Sequence, residues 1–267
     1  MSRLLVLGRD GMLGAALARG LAKTHTVTAL ARADFDIESG RWQALPVEGY
    51  DCVLNAAGLI NKREVPADAF YTVNAVFPHA LAARCRNAGV KLIHFSTDCV
   101  FAGNGAPYYE DSPADALDVY GRSKALGEPL HGMTLRTSII GPEVRNGYNL
   151  MCWGLRQRTI KGFTNILWNG VTTVALTAAV GHILAQGLYV DGVRHLHSTD
   201  ASKHDLLTMI CSAFGSKAEI TPTEWPTPRD VRLRTRHPDL LAALELPPLE
   251  RQIADLVPLS TPDGYWR

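Results

Sequence analysis

Short apolar runs alternate with longer amphipathic stretches from the first residues of the chain. The apolar run at residues 4–7 is typical of a strand that is buried on both faces of a parallel sheet. Small and apolar residues follow at helical spacing over residues 12–22, and a second strand-like run occupies residues 26–30. This order of strand, helix and strand predicts a βαβ unit at the start of the chain.

The alternation continues as far as residue 141. Further strands are predicted at residues 52–54, 90–95 and 133–136, and helices at residues 67–86 and 120–130. In the first of these helices, Phe70, Val73, Phe77 and Leu81 form an apolar stripe. We therefore expect an α/β fold class, with a Rossmann-type doubly wound parallel sheet that helices cover on both faces.

After residue 141 the alternation becomes less regular. Helices are predicted at residues 149–158, 173–188 and 203–214, and shorter strands at residues 163–167 and 193–197. We expect a Rossmann domain at residues 1–141 and a smaller C-terminal α/β domain at residues 142–267. Part of the later chain is expected to return to the first sheet.

Composition and charge narrow the classes of function. The 267 residues include 27 Lys and Arg against 26 Asp and Glu, with no run of like charges, so we expect no nucleic-acid partner. Gly8 interrupts the first apolar run too early for a signal peptide or a membrane span, so no membrane partner is expected either. Five scattered cysteines indicate a reducing compartment, interpreted as the cytoplasm. His195 and His197 are close but lack further ligands, so no metal site is expected.

Three glycines, Gly8, Gly11 and Gly14, lie between the first strand and the first helix. In a βαβ unit such glycines allow a tight turn, close approach of a pyrophosphate and close packing of helix against strand, and the helix N-terminus faces the anion. This position favours dinucleotide binding over an ordinary turn. The predicted cofactor-binding loop consists of Gly8, Arg9, Asp10, Gly11, Met12, Leu13 and Gly14.

The residues that follow the second strand help to distinguish NAD from NADP as the cofactor. An NAD site commonly has an acidic residue there, whereas this chain has Arg32. Arg32, with Arg9 in the glycine loop, suits the 2′-phosphate of NADP, so NADP is favoured. Asp34 and Asp36 are close enough to keep NAD as an alternative.

Tyr120 and Lys124 are four residues apart in a predicted helix and therefore share one face of it. The strand before this helix ends near Ser96 and Thr97, and ligands bind at the carboxyl ends of strands in open α/β sheets. A carbonyl reduction needs a proton donor, and an adjacent cation such as Lys124 is expected to lower the pKa of Tyr120. We expect the Thr97 hydroxyl to bond the same substrate oxygen and position it.

The segments GRDGMLG, LNAAG, YTVNA, STDCVF, YYEDSP and YGRSKALGE occur in this order between residues 3 and 141. They resemble the extended short-chain dehydrogenase/reductases, and within them the dTDP-4-dehydrorhamnose reductase family. The resemblance implies an NAD(P)-dependent oxidoreductase that uses NADPH to reduce a nucleotide-activated 4-keto-6-deoxy sugar in carbohydrate biosynthesis. It also implies a mainly substrate-binding role for residues 142–267, and superfamily members are often homodimers.

The resemblance assigns roles to individual residues. It makes Thr97, Tyr120 and Lys124 the catalytic triad. It also implies that Asn74 supports the helix that carries Tyr120 and Lys124. Further residues expected at the cofactor are Asp36 and Ile37 beside the adenine, and Asn55, Ala56, Ala57, Asn74, Ser96, Tyr120 and Lys124. Residues expected at the substrate are Thr97, Asp98, Cys99, Ile139 and Trp168, although the segment from Trp168 is equally consistent with an ordinary turn.

This chain also departs from the family. Cys99 replaces an aromatic residue after Ser-Thr-Asp, and Ile139 replaces a tryptophan. GDP-L-fucose synthases carry a cysteine at the position of Cys99, so an epimerase-reductase with Cys99 as acid or base is a second hypothesis, alongside a merely buried cysteine. A third hypothesis is a non-catalytic NADP-binding regulatory subunit, which the intact residues Thr97, Tyr120 and Lys124 disfavour.

Overall fold

The computed structural model describes residues 1–60, 65–145 and 147–267. Its strands are β1 (Arg3–Leu7), β2 (Thr26–Leu30), β3 (Cys52–Asn55), β4 (Lys91–Thr97), β5 (Met133–Thr137), β6 (Ile139–Ile140), β7 (Thr159–Phe163), β8 (Ile166–Trp168), β9 (Val171–Thr172), β10 (Gly192–His195), β11 (Ala201–Ser202), β12 (Glu219–Thr223) and β13 (Arg229–Asp230). Its helices are α1 (Met12–Leu21), α2 (Ala67–Tyr71), α3 (Phe77–Asn87), α4 (Val119–Leu126), α5 (Leu150–Leu155), α6 (Thr173–Ala185), α7 (Lys203–Ala213), α8 (Pro238–Ala243) and α9 (Leu249–Ala254). Within the described ranges, no helix combines the length with the apolar character that a bilayer-spanning segment needs.

Six parallel strands form the central sheet, in the order β2, β1, β3, β4, β5 and β10. The chain moves outward from β1 in one direction to β2 and in the other direction through β3, β4 and β5, which is the doubly wound arrangement. The last strand, β10, comes from the second half of the chain and pairs with β5 at the edge. The predicted Rossmann-type α/β fold is confirmed.

Two hydrophobic cores lie on opposite faces of this sheet, and β1 contributes to both. Leu4 and Val6 join the core that contains residues of α1 and α6, whereas Leu5 and Leu7 join the core formed with α3. Successive side chains of a strand point to opposite faces, so a continuous apolar run is what a strand between two helical layers requires. This burial holds the carboxyl ends of the strands in fixed positions.

The helix predicted at residues 67–86 consists of three consecutive parts. A π-helical segment, Thr72–Val76, joins α2 to α3. All four residues of the predicted apolar stripe are buried, so the helical periodicity was interpreted correctly. Single π-helical turns inside α-helices are frequent at functional sites, and this one contains Asn74.

Two predicted elements have different ends in the structure. The helix predicted at residues 120–130 ends at Leu126, because Gly127 and then Pro129 follow, and proline disfavours a helical residue before it. The strand predicted at residues 163–167 is wrong as a single element. It is divided into the end of β7 and the start of β8, because the Asn165 side chain binds the backbone of Trp225 and turns the chain.

The second half of the chain forms small sheets beside the carboxyl edge of β4 and β5. The strands β11, β8 and β13 form one three-stranded sheet, β12 pairs with β7, and β6 pairs with β9. Helices α5, α7 and α9 contribute to a separate hydrophobic core under these strands. The predicted helices of this half are present in shorter form as α5, α6 and α7.

Replacing the fully buried Phe77 tests the packing of the core between the central sheet and α3. Its ring contacts those of Phe35 and Trp42, with centroids 6.3 and 5.8 Å away. We expect Phe77→Ala to lower the free energy of unfolding by about 3–5 kcal/mol in a urea titration. Val76→Ala is the neighbouring control, since Val76 is 53% exposed. Equal losses for the two variants would contradict this description of the core.

Candidate active site

The glycine loop that follows β1 forms a narrow backbone turn. Gly8 has φ +88°, and a Cβ there would lie 2.8–2.9 Å from the backbone of Ala56 and Ala57. A Cβ on Gly14 would lie 2.0 Å from the carbonyl oxygen of Gly8. Only glycine therefore permits this approach of the loop to α1 and to the end of β3.

The start of α1 fits an anionic ligand. The helix begins at Met12 with Gly11 as its N-cap, and neither a capping side chain nor an acidic residue occupies its first turn. The first N–H groups of a helix need acceptors and attract negative charge. The residues present thus fit the pyrophosphate of a dinucleotide, with Gly11, Met12 and Leu13 at the helix start and Ala56 and Ala57 across the turn.

The two arginines predicted near a 2′-phosphate lie at the ends of β1 and β2 and are paired with carboxylates. Arg9 lies 3.1 Å from Asp34, and Arg32 lies 3.0 Å from Glu38 and 3.5 Å from Asp36. Asp34 and Asp36, the two acids that kept NAD as an alternative, are therefore engaged in ion pairs with these arginines. A phosphate at this place would compete with those carboxylates for the arginines.

Three other residues predicted at the cofactor differ in their burial and in their hydrogen bonds. Ile37 is buried in the core formed with α3, and the carboxylate of Asp36 accepts from the backbone N–H of Glu38. Asn55 lies at the end of β3, where its amide nitrogen is 3.1 Å from Nδ1 of His94. The Oδ1 atom of Asn55 has no hydrogen-bond partner among the described residues.

Asp10 of the glycine loop makes a long-range contact that the sequence does not reveal. Its carboxylate forms an ion pair with Arg145, 135 residues later in the chain. Nearby, the Asn149 side chain donates to the carbonyl oxygen of Gly141 at 2.7 Å and lies 3.3 Å from the sulfur of Met12. Arg145 and Asn149 therefore lie beside the glycine loop.

Helix α4 places Tyr120 and Lys124 against the carboxyl end of β4. The helix begins with Asp118 as its N-cap, whose carboxylate accepts from the N–H of Gly121 at 2.9 Å. A Cβ on Gly121 would lie 2.3 Å from the carbonyl oxygen of Cys99, so glycine allows the helix to approach this segment closely. The Lys124 ammonium donates to the carbonyl oxygen of Phe95 at 2.7 Å.

Asn74 supports the same helix from the π-helical segment. Its side-chain amide donates to Ser123 Oγ at 3.1 Å and exchanges two hydrogen bonds with the backbone of Leu59. A Cβ on Gly127 would lie 1.7 Å from the carbonyl oxygen of Asn74. These contacts attach Asn74 to α4 at Ser123 and Gly127, and its supporting role stays a prediction.

Thr97 is the contact between β4 and Tyr120. Its hydroxyl accepts from the N–H of Cys99 and donates to Asp98, both at 3.1 Å, and it lies close enough to the Tyr120 phenol to lower the pKa of that phenol. Asp98 is 3% exposed, and burial raises the pKa of its carboxyl. The structure therefore brings Thr97, Tyr120 and Lys124 to one place at the end of β4.

The expectation of a lowered pKa for Tyr120 is wrong. Burial raises the pKa of Tyr120, and the nearby Cys99 and Asp98 raise it further, whereas the hydrogen bond to Thr97 lowers it. Burial also lowers the pKa of Lys124, to about 8, and Glu128 opposes that decrease. Desolvation is thus the main influence on the phenol, which stays protonated at neutral pH.

Cys99 has the environment of a neutral thiol. Burial raises its pKa to about 12, and the neighbouring carboxyl of Asp98 acts in the same direction. An acid–base role at neutral pH requires a cysteine that exchanges its proton readily. These surroundings disfavour that role.

The remaining predicted substrate residues lie at the junction with the second half of the chain. Ile139, on β6, is half-buried and packs against the core shared by α1 and α6. Trp168 is buried in the core beneath β8, with the Lys203 ammonium 5.3 Å from its ring centroid. Arg229, on β13, and Lys203 both act electrostatically on Asp98.

The two histidines near the end of β10 have separate surroundings. His195 is buried and bonds Arg136 and the carbonyl oxygen of Arg234, while His197 lies beyond the end of β10. In the described part of the chain, no three His, Cys, Asp or Glu side chains are grouped to hold a metal ion.

The doubly wound sheet, the glycine loop and the meeting of Thr97, Tyr120 and Lys124 are the features of an extended short-chain dehydrogenase/reductase. Residues 2–143 match the family model described as RmlD substrate binding domain, and the chain belongs to this family.

Similar proteins include sugar-nucleotide reductases. The chain is 31% identical over 234 residues to the dTDP-4-keto-6-deoxy-D-glucose reductase of Streptomyces niveus, covering 80% of this chain and 79% of that protein. It is 35% identical over 146 residues to the spore coat polysaccharide biosynthesis protein SpsK of Bacillus subtilis, covering 52% of each chain. The match to a dTDP-4-dehydrorhamnose reductase of Mycolicibacterium smegmatis covers 47% of this chain and 40% of that protein, at 37% identity. The chain thus spans about half the length of several curated relatives it matches.

Among solved structures, a dTDP-4-dehydrorhamnose reductase of Bacillus anthracis in complex with NADP has the same fold. The TM-score is 0.81 at 20% identity, and the superposition covers 96% of this chain and 98% of that one.

Thiol alkylation tests the environment of Cys99. Because burial raises its pKa to about 12, we expect its rate of reaction with iodoacetamide to keep rising above pH 9 without a plateau. The rate is followed by mass spectrometry of the peptide that contains Cys99, with Cys99→Ser as the blank. A rate that levels off below pH 8 would show a thiolate and would restore the case for acid–base chemistry at this residue.

Proposed function

We propose that this protein is an NADPH-dependent reductase of a nucleotide-activated 4-keto-6-deoxy sugar. The observation that carries the proposal is the placement of two hydroxyls, from Thr97 and Tyr120, at the end of β4 beside a glycine loop that fits a dinucleotide. The relatives named as reductases of dTDP-linked keto sugars support this class of substrate.

Tyr120 acts as the proton donor. NADPH, when bound, supplies a hydride to the carbonyl carbon of the sugar. The oxygen gains negative charge at the same time, and the phenol of Tyr120 gives it a proton. The raised pKa of Tyr120 keeps this proton on the phenol before the reaction. Thr97 holds the carbonyl oxygen against Tyr120 through a second hydrogen bond.

Lys124 stabilises the phenolate that remains after proton transfer. With a pKa of about 8, its amine is mostly an ammonium at pH 7. A positive charge one helical turn from Tyr120 attracts the phenolate more strongly than the neutral phenol. The effect expected from the sequence therefore acts on the product of proton transfer, and the resting phenol remains neutral.

NADPH is the proposed cofactor, with NADH as the alternative. Arg9 and Arg32 provide two cations at the ends of β1 and β2, where the adenine ribose of a dinucleotide would lie. The similar B. anthracis structure contains NADP. The carboxylates now paired with these arginines would give way to a 2′-phosphate, which carries more negative charge.

The substrate is proposed to lie between Asp98 and residues of the second half of the chain, with residues 142–267 mainly responsible for its binding. Arg229 and Lys203 provide positive charge on that side, which suits the diphosphate of a sugar nucleotide. The reaction is proposed to occur in the cytoplasm, and all five cysteines are free thiols. A homodimer stays a prediction.

Two other functions have weaker support. An epimerase-reductase would need proton exchange at Cys99, which the raised pKa of that thiol disfavours. Deuterium uptake from solvent at a ring carbon would support it. A non-catalytic NADP-binding regulatory subunit would not need Thr97, Tyr120 and Lys124 to meet at the end of β4.

Removing the phenol hydroxyl tests the proposed acid. We expect Tyr120→Phe to lower kcat by about 10²–10⁴-fold with NADPH and a panel of nucleotide-linked 4-keto sugars. The affinity for NADPH, measured by fluorescence titration, should change little. Tyr50→Phe, which alters a phenol just before the amino end of β3 and so away from the carboxyl ends of the strands, is the matched control. Turnover by Tyr120→Phe close to that of the unchanged protein would refute the proposal.

Removing a guanidinium tests the proposed cofactor preference. We expect Arg32→Ala to weaken NADPH binding by about tenfold or more and to leave NADH binding nearly unchanged, because only NADPH carries the 2′-phosphate. Titration calorimetry with each cofactor measures both. Arg41→Ala changes an exposed arginine in the following segment and is the control. Equal weakening for NADPH and NADH would exclude a 2′-phosphate contact at Arg32.

A further inference from the structure

A buried ion pair lies directly behind the active-site helix. Glu128 follows Lys124 by four residues, and its carboxylate receives two hydrogen bonds from the Arg136 guanidinium, from Nε at 2.9 Å and from Nη2 at 2.5 Å. The side chains of Glu128 and Arg136 are only 10% and 5% exposed. Such a bidentate pair fixes both the position and the orientation of the carboxylate.

Neighbouring side chains determine the geometry of this pair. The Ser96 hydroxyl donates to Oε1 of Glu128 at 2.5 Å, and Arg136 donates to Nε2 of His195 at 2.9 Å. His195 must therefore carry its proton on Nδ1, which lies 2.7 Å from the carbonyl oxygen of Arg234. Burial lowers the pKa of His195 to about 4, so this histidine adds no charge at neutral pH.

Burying the charges of Glu128 and Arg136 is costly, so a contribution to fold stability does not explain why the pair is present. Two desolvated charges often stabilise a fold no better than apolar side chains of the same size. The pair joins three strands and the catalytic helix through Ser96 on β4, Arg136 on β5 and His195 on β10. The position of the pair points to a role at the amine of Lys124. That amine donates to the carbonyl oxygen of Phe95, and the next residue of β4, Ser96, donates to Glu128.

We propose that Glu128, clamped by Arg136 and Ser96, is a positioning residue for Lys124: it is the counter-charge that keeps the buried amine an ammonium. The inference deepens the proposed reductase function, which needs that ammonium beside the phenolate of Tyr120. Arg136 acts in the opposite direction and limits the effect of the carboxylate.

Among the described residues, Glu128 is the anionic group that acts on Lys124. Burial lowers the pKa of Lys124 to about 8, and Glu128 raises it. From β4, the buried His94 is kept neutral because burial and then Lys124 lower its pKa. From α3, His79 bonds the carbonyl oxygen of Leu126, and on α4 itself Tyr120 stays a neutral phenol. In the part of the chain that the structure describes, Arg136 on β5 is the nearest cation to Glu128, which holds it through two hydrogen bonds.

The sign of the change in the titration of Lys124 tests this proposal. In the ligand-free full chain, the side-chain ¹³Cε resonance of Lys124 reports its protonation, and Lys124→Arg identifies the signal. We expect Glu128→Gln to move the titration midpoint to lower pH by about one unit or more, because the counter-charge is lost. Arg136→Gln should move it to higher pH. The double variant, which removes both charges, should restore a midpoint near that of the unchanged protein.

A control and an activity measurement complete the experiment. Glu110→Gln removes a carboxylate that accepts from the backbone N–H of His195 and is not among the groups that shift the pKa of Lys124, so it should leave the midpoint unchanged. In the active enzyme, the alkaline limb of the kcat profile should move with the midpoint, to lower pH in Glu128→Gln and to higher pH in Arg136→Gln.

Shifts of one sign in both single variants, or no shift in either, would overturn the proposal and leave the pair a structural one. If Glu128→Gln does not fold, Arg136→Gln and the double variant still decide the sign. Opposite shifts in a protein that reduces no nucleotide-linked keto sugar would uphold the positioning role while refuting the proposed function.

Discussion

The hydrogen bond from the Lys124 ammonium to the carbonyl oxygen of Phe95 is the contact on which the site depends. A buried ammonium requires partners, because desolvation is costly for any unpaired charge. This bond attaches α4 to the end of β4, and Thr97 follows Phe95 by two residues in the same strand. Tyr120, one helical turn before Lys124, then lies against Thr97. One buried donor thereby fixes the relation between the two hydroxyls.

The topology explains why the cofactor loop and these hydroxyls occupy one edge of the molecule. All six strands of the central sheet are parallel, so the turns after β1, β3 and β4 leave the sheet on the same side. Glycine at three of these approaches permits close contacts between backbones: Gly8 against Ala56 and Ala57, Gly14 against Gly8, and Gly121 against Cys99. The two cores hold the strands from both faces, and the site itself consists of polar side chains placed on a rigid frame.

Much of this arrangement follows from local sequence. The apolar run at residues 4–7 has the composition of a strand buried on both faces, and the spacing of Tyr120 and Lys124 requires only one helical turn. The pKa of Tyr120 was not predictable, because it depends on how deeply the phenol is desolvated as well as on the nearest cation. The strand predicted at residues 163–167 failed because Asn165 binds Trp225, sixty residues later in the chain. Likewise, Glu128, Arg136 and His195 meet only when β10 returns to the sheet, which no local pattern reveals.

A crystal structure with NADP⁺ and a nucleotide-linked 4-keto sugar would test the central claim most directly, since the oxidised cofactor prevents turnover. We expect the ketone oxygen within about 3.2 Å of both the Tyr120 and Thr97 hydroxyls. We also expect the nicotinamide C4 within about 3.5 Å of the ketone carbon. A sugar bound with its ketone away from these two hydroxyls, or a dinucleotide that does not follow the glycine loop, would contradict the account.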